Sequence, residues 1–167
     1  MGVSRFGQVQ ADAFLGAAHD NSPFGKIWYV DVTNGSDGNS GEAPDEAYAT
    51  IAQAITSALA TRGDSVSIAP GTYSVTAALS PKSNMTFRAA VVNQQVPTVT
   101  IQGNITNLLT LNVSGCRFVG LRFLSSGNTS ANLANVSNTA SIDGATFEDC
   151  AFEGLVSNTT QGVGLRA

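Results

Sequence analysis

Residues 115–123 read GCRFVGLRF, and residues 144–152 read GATFEDCAF. Gly115 matches Gly144, Phe118 matches Phe147 and Phe123 matches Phe152, each pair 29 residues apart, while Leu121 gives way to Cys150. A period of this size marks a stacked architecture, in which one unit cannot bury its apolar face alone and leans on the next. Stacked strands place equivalent side chains about 4.8 Å apart. Phe118 over Phe147 and Phe123 over Phe152 are therefore expected to form interior columns, with Val113 over Ile142 as a third.

The flanking sequence fits such a stack. Beyond Gly63 there is almost no helical periodicity, only short β-prone runs at 65–69, 72–75, 84–89, 98–103, 108–113 and 131–136, many separated by Asn, Gly or Ser. Val66 and Ile68 share one face of the first run. A β-sandwich also uses many short strands and Gly-rich turns, and it stays open as the competing architecture because only two copies of the repeat match well. The parallel coil is favoured, since hairpin-linked strands need no uniform period.

Ahead of these runs, KIWYVDV at 26–32 reads as a strand with Ile27, Tyr29 and Asp31 on one face and Trp28, Val30 and Val32 on the other. TNGSDGNSGEAPDE follows, dense in residues that tolerate positive φ. Asp37, Asn39 and Gly41 resemble the start of a calcium loop, but position 47, where the terminal Glu belongs, is Ala. Side chains bonded to local backbone are expected there instead of a metal. TIAQAITSALATR at 50–62 predicts a helix, with Thr50 and Gln53 as a capping box and Ile51, Ala52, Ile55, Ala58 and Leu59 as its apolar stripe. Gly63 is the expected stop.

YVDVTNGSDGNSGEAPDEAYATIAQAI at 29–55 and GDSVSIAPGTYSV at 63–75 resemble the opening of right-handed parallel β-helix proteins of the pectin-lyase-like superfamily. SNMTFRAA at 83–90 and GCRFVGLRF resemble their coils. The resemblance implies an all-β, right-handed parallel β-helix over 26–167 with a capping helix at about 50–62, preceded by an N-terminal arm at 1–25. It covers roughly 27–154 and is specific for fold, whereas the scaffold serves lyases, hydrolases, adhesins and phage structural proteins alike. The Asn- and Thr-rich version with a short leader looks most like virion decoration and tail-spike proteins of tailed phages.

Composition narrows the function classes. Charged residues make up only 12% of 167, and 46 residues are Asn, Ser or Thr, so the polar surface is built from amides and hydroxyls. The formal net charge is −4 and the eight Lys and Arg residues are scattered, without the basic stripe that phosphate binding needs. No apolar run reaches membrane-spanning or signal-peptide length, and Phe6 breaks the myristoylation pattern. Neither nucleic acid nor membrane is expected as a partner. Six Asn-x-Ser/Thr matches after residue 80 are read as turn and ladder chemistry, with no glycan required. Cys116 and Cys150 are expected as free thiols, a disulfide depending on a backbone approach that spacing does not fix. With His19 as the lone histidine, no metal site or cofactor is expected.

An acid–base enzyme on this scaffold needs carboxylates in different proton states close together. Asp143, Glu148, Asp149 and Glu153 are the candidates, with Arg117 and Arg122 one coil away. The 29-residue offset sets Arg122 beside Ala151 and sets Glu148 and Asp149 beside Val119 and Gly120. Arg122, Glu148 and Asp149 are therefore weak candidates for a carbohydrate site, and no catalytic residue is assigned. The favoured expectation is a non-enzymatic virion structural protein, a capsid decoration or tail-surface component made in the host cytoplasm. Its expected partners are further copies of itself and other virion proteins such as the major capsid protein. Phe6, Phe14 and Trp28 are the contact candidates, with a core role beneath the helix as the alternative for Trp28. The arm packs either on a partner or back over its own domain. The alternative function is a carbohydrate-binding or carbohydrate-cleaving β-helix of tail-spike, lyase or hydrolase type.

Overall fold

The computed structural model describes residues 25–60, 62–91, 96–105, 107–125, 132–136 and 144–154. Phe6, Phe14 and His19, with the rest of the expected arm up to residue 24, lie outside the described residues, as do Ile142 and Asp143. In chain order the elements are β1 (Ile27–Val30), a 3-10 turn (Pro44–Glu46), α1 (Ile51–Ser57), β2 (Ser65–Ile68), β3 (Gly71–Ser74), β4 (Thr86–Ala89), β5 (Val99–Gly103), β6 (Asn107–Leu111), β7 (Arg117–Val119), β8 (Leu121–Ser125), β9 (Asn132–Val136), β10 (Thr146–Glu148) and β11 (Ala151–Gly154).

All paired strands run parallel. One sheet has the order β1-β2-β4-β7-β10, a second β3-β5-β8-β11, and β6 pairs with β9 in a third ladder. A bridge from Leu79 to Leu109 extends that ladder by one step. From β2 onward the chain visits the three in the same cyclic order, so each circuit lays one strand beside its predecessor. Buried side chains alternate with more exposed ones along β1, β2, β4, β5 and β8, as the pleat requires. Trp28, Val66, Phe87 and Phe118 are buried at successive inward positions of the first sheet, and Tyr73, Ile101 and Phe123 in the second.

The aromatic columns expected from the repeat are present. Phe118 pairs in register with Phe147, their rings stacked at 4.8 Å, and Phe123 pairs with Phe152 at 5.3 Å. Phe87 extends the first column, stacked on Phe118 at 5.1 Å. The corner preceding the first sheet repeats as well. Gly63, Asn84, Gly115 and Gly144 occupy equivalent positions two residues before β2, β4, β7 and β10, and all have positive φ, at 72°, 61°, 74° and 76°. Gly and, less readily, Asn or Asp adopt this left-handed geometry. Corner chemistry thus stays constant while the intervals between these residues vary.

The helix is shorter than expected, Ile51–Ser57 in place of 50–62. Its start follows the reading, because the Thr50 hydroxyl accepts from the Gln53 amide at 3.2 Å. Its end does not: Ala58 is already extended, so Gly63 is the corner before β2 and not the helix stop. Two side chains compete successfully for the backbone that would have continued the helix. The Leu59 amide donates to Asp64 at 3.0 Å, and Lys82 Nζ donates to the Thr56 and Ala58 carbonyls at 2.8 and 2.5 Å. Ile51, Ala54, Ile55 and Ala58 are buried, while Ala52 and Leu59, expected in the apolar stripe, are exposed.

Trp28 belongs to the core: it is 6% exposed, stacks against Tyr48 at 6.0 Å and donates from Nε1 to Asp64 at 3.0 Å. This burial fits the core role named as the alternative for Trp28. Tyr73 is also buried, with its hydroxyl donating to the Ala69 carbonyl at 2.9 Å. Burial pushes that phenol up to about 12, and the negative charge of Asp31 works in the same direction against the opposing Val32 amide.

Candidate functional site

The residues singled out as a carbohydrate site are divided between two walls. Glu148 lies on β10 and is held by Arg117 of β7, Nε to Oε1 at 2.8 Å. Arg122 lies on β8 and pairs with Glu153 of β11. Asp149 sits at the corner between β10 and β11 with φ 51°, above Gly120, which has φ 69°. The register follows the 29-residue offset, Arg122 beside Ala151 and Val119 beside Glu148. Each pairing is one cation to one carboxylate, so Arg122 and Glu148 do not meet as one cluster. The hydrogen bond from Arg117 holds the Glu148 carboxyl below its ordinary range, and Glu148 raises the Arg117 guanidinium in return. A carboxylate held ionised in this way is a poor proton donor to a leaving group.

Other reactive groups are equally committed. Burial raises both thiols; Cys116 donates to the Lys82 carbonyl at 3.4 Å and Cys150 to the Glu148 carbonyl at 3.3 Å. Both are free thiols. Asp37, at the calcium-like loop, accepts from the Ala49 and Thr50 amides at 3.0 and 2.9 Å and from the Thr50 hydroxyl at 2.8 Å. No group of three His, Cys, Asp or Glu side chains able to hold a metal ion occurs among the described residues. Asp64 is fully buried and was missed in the sequence; it accepts from Lys26 N, Trp28 Nε1, Leu59 N and both arms of Arg62. It is structural.

The outer face of the five-stranded sheet is different. A groove of about 570 Å³ runs over it. Parallel pairing sets two register rows on this sheet, Ile27–Ser65–Thr86–Arg117–Thr146 and Tyr29–Ser67–Arg88–Val119–Glu148, of which all but Thr146 and Glu148 line the groove and Val119 is buried. The rows begin with an apolar and an aromatic side chain, pass through hydroxyls and reach two arginines. Among the described residues Arg88 is exposed and has no carboxylate partner, whereas Arg62, Arg117 and Arg122 each have one. A second cleft, of about 360 Å³, lies between α1 and the segment after β3 and is lined chiefly by apolar groups such as Val32, Ile55 and Val75.

Comparison of the chain with protein-family models, with curated proteins and with solved structures finds no match.

Proposed function

We propose that the chain is a right-handed parallel β-helix whose walls form a non-catalytic surface component of a larger assembly, in the class of capsid-decoration and tail-surface proteins of tailed phages. Support for the coil comes from the cyclic visiting order of the three ladders and from the strong preference of parallel crossover connections for the right hand. Helix α1 packs on β1 and β2, as a cap on the first coil would. Its partners are further copies and other virion proteins such as the major capsid protein, its place is the virion surface, and it is made in the host cytoplasm.

The observation that carries the assembly reading is the last rung. Strands β10 and β11 are edge strands with no further neighbour among the described residues, and parallel edges are ready to pair with another chain. The one-to-one pairing of Arg117 with Glu148 and of Arg122 with Glu153 supports a passive wall over a polysaccharide lyase or hydrolase. Light scattering over a dilution series, combined with amide hydrogen exchange at 146–154, tests the reading. Oligomers in which these amides become protected with concentration are expected. A monomer at every concentration, or release of reducing ends from acidic or neutral polysaccharides, would sink it.

A further inference from the structure

We propose that residues 9–17 of the chain's own N-terminal segment lie as an added parallel strand on the free edge of β3, filling the apolar cleft beside α1. β3 and β11 are opposite edges of the second sheet, so this site is remote from the last strands and does not rest on the assembly reading.

β3 pairs with β5 and with no other strand among the described residues. Gly71 N donates to the Thr98 carbonyl at 3.0 Å and Val75 N to the Gln102 carbonyl at 2.8 Å, so alternate residues of β3 face β5. The backbone groups of Thr72 and Ser74 point the other way, and both residues are exposed. The first sheet differs at the same end. There the outer edge of β1 is closed by its own loop, Tyr29 N donating to the Gly41 carbonyl at 2.9 Å and Asp31 N to the Tyr48 carbonyl at 2.8 Å. An unpaired edge is a template for one more strand. The cleft of about 360 Å³ borders it, with Ser74 in its lining, and Ile55, Val75 and Leu79 offer an apolar surface for that strand to cover.

The corner at Gly25 names the occupant. Gly25 stands two residues before β1, as Gly63, Asn84, Gly115 and Gly144 stand before β2, β4, β7 and β10, and a Cβ on it would lie 2.1 Å from the Gly63 carbonyl oxygen. The chain reaches Asn84 and Gly115 from the second sheet by way of the third ladder, past Leu79 and Leu109. Tyr73 and its partner Ile101 lie 11 and 14 residues before those two corners. The same intervals counted back from Gly25 reach Phe14 and Ala11, which brings this stretch to the side of Tyr73 where β3 is open. Its sequence suits the place. Val9, Ala11, Ala13, Leu15 and Ala17 take every second position, the period of a strand with one apolar face, and Gln10, Asp12 and Phe14 stand between them. A second copy cannot supply the strand from its own last edge. β10 and β11 are joined by the short corner at Asp149, so β11 set beside β3 would carry β10 into the place that β1 fills.

The test is residue-resolved NMR of the full chain. Nuclear Overhauser contacts are expected between residues 9–17 and residues 71–76. Leu15→Asp sets a charge against the apolar lining, so it should abolish these contacts and speed amide exchange at Thr72 and Ser74 by about tenfold or more. Exchange in β4 and β7 should stay as in the parent, which separates a lost strand from a lost fold. Phe6→Ala, outside the docked stretch, should change neither the contacts nor the exchange. Carbon-13-labelled and unlabelled chains, unfolded together and refolded, show whether the contacts arise within one chain. The contacts in the parent decide the matter even if L15D fails to fold. The proposal is overturned if the parent shows no contact between the two segments, if the contacts join only different chains, or if a folded L15D exchanges at Thr72 and Ser74 like the parent.

Discussion

Trp28 donates its indole N–H to Asp64 at 3.0 Å, tying the first strand to the residue that precedes the second. Asp64 is fully buried and also receives the Arg62 guanidinium at 2.6 and 2.7 Å and the amides of Lys26 and Leu59. Burial alone would push its carboxyl up; these donors reverse the effect and hold it well below the usual carboxylate range. As pH falls, the unfolded chain therefore takes up this proton first, near the ordinary Asp value of about 3.9. The stabilisation is complete above about pH 5 and is lost as pH drops below about 4 toward the folded value. Asp64→Asn should cost about 3 kcal/mol or more at neutral pH, since it removes the buried carboxylate charge that pairs with the Arg62 guanidinium. Urea unfolding from pH 2 to 7 checks both, with a flatter acid limb in D64N. An unchanged acid limb would remove Asp64 as its source.

Phe118 is the central ring of the first aromatic column, stacked between Phe87 and Phe147 and edge-on to Phe123 at 6.1 Å. Phe118→Ala should destabilise by about 3–5 kcal/mol, the range for a large buried aromatic whose cavity cannot collapse. Phe147, only partly buried at the end of the column, should cost less when truncated. Denaturant midpoints of F118A and F147A measure the difference. Equal losses would mean that the column is not continuous.

The visibility of these features in the sequence depended on constant spacing. Phe118 and Phe147 are 29 residues apart, as are Phe123 and Phe152, so two columns could be anticipated. Phe87 could not, because the turn between β4 and β5 adds residues and breaks the interval. Tyr29, Ser67 and Arg88 are neighbours only through strand register, at intervals with no common value, so the groove left no motif. The helix end was misplaced for a similar reason. Gly63 looked like a stop by local rules, while the groups that end the helix are Asp64 and Lys82, the second 24 residues beyond Ala58. Arg122 and Glu148 are weak candidates for one carbohydrate site in the sequence, and the corner at Gly120 turns them onto separate sheets.

Lys82 acts as the C-terminal cap of α1 from a distant part of the chain, through the Thr56 and Ala58 carbonyls. A cation there satisfies orphan acceptors and opposes the negative end of the helix. Lys82→Met keeps the apolar stem and removes the charge. A loss of about 1 kcal/mol is expected, with faster amide exchange confined to 51–59. Exchange that rises equally in β7 and β8 would show a general loosening and not a lost cap.

Gly115 and Gly144 share a left-handed corner but differ in what surrounds it. A Cβ at Gly115 would lie 2.2 Å from Asn84 Oδ1, whereas one at Gly144 meets nothing within 4 Å among the described residues. Gly144→Ala should therefore cost only the backbone strain of a left-handed alanine, about 1–2 kcal/mol. Gly115→Ala carries the same strain and must also displace the side chain of Asn84, the residue at the corner before β4. Its loss should exceed that of G144A by about 1 kcal/mol or more. The double variant Asn84→Gly, Gly115→Ala separates the two contributions. Removing the Asn84 side chain should bring the penalty of G115A down to that of G144A, measured by urea unfolding against N84G as the reference. A penalty that persists undiminished would place the clash elsewhere and break the stacking of Asn84 under Gly115.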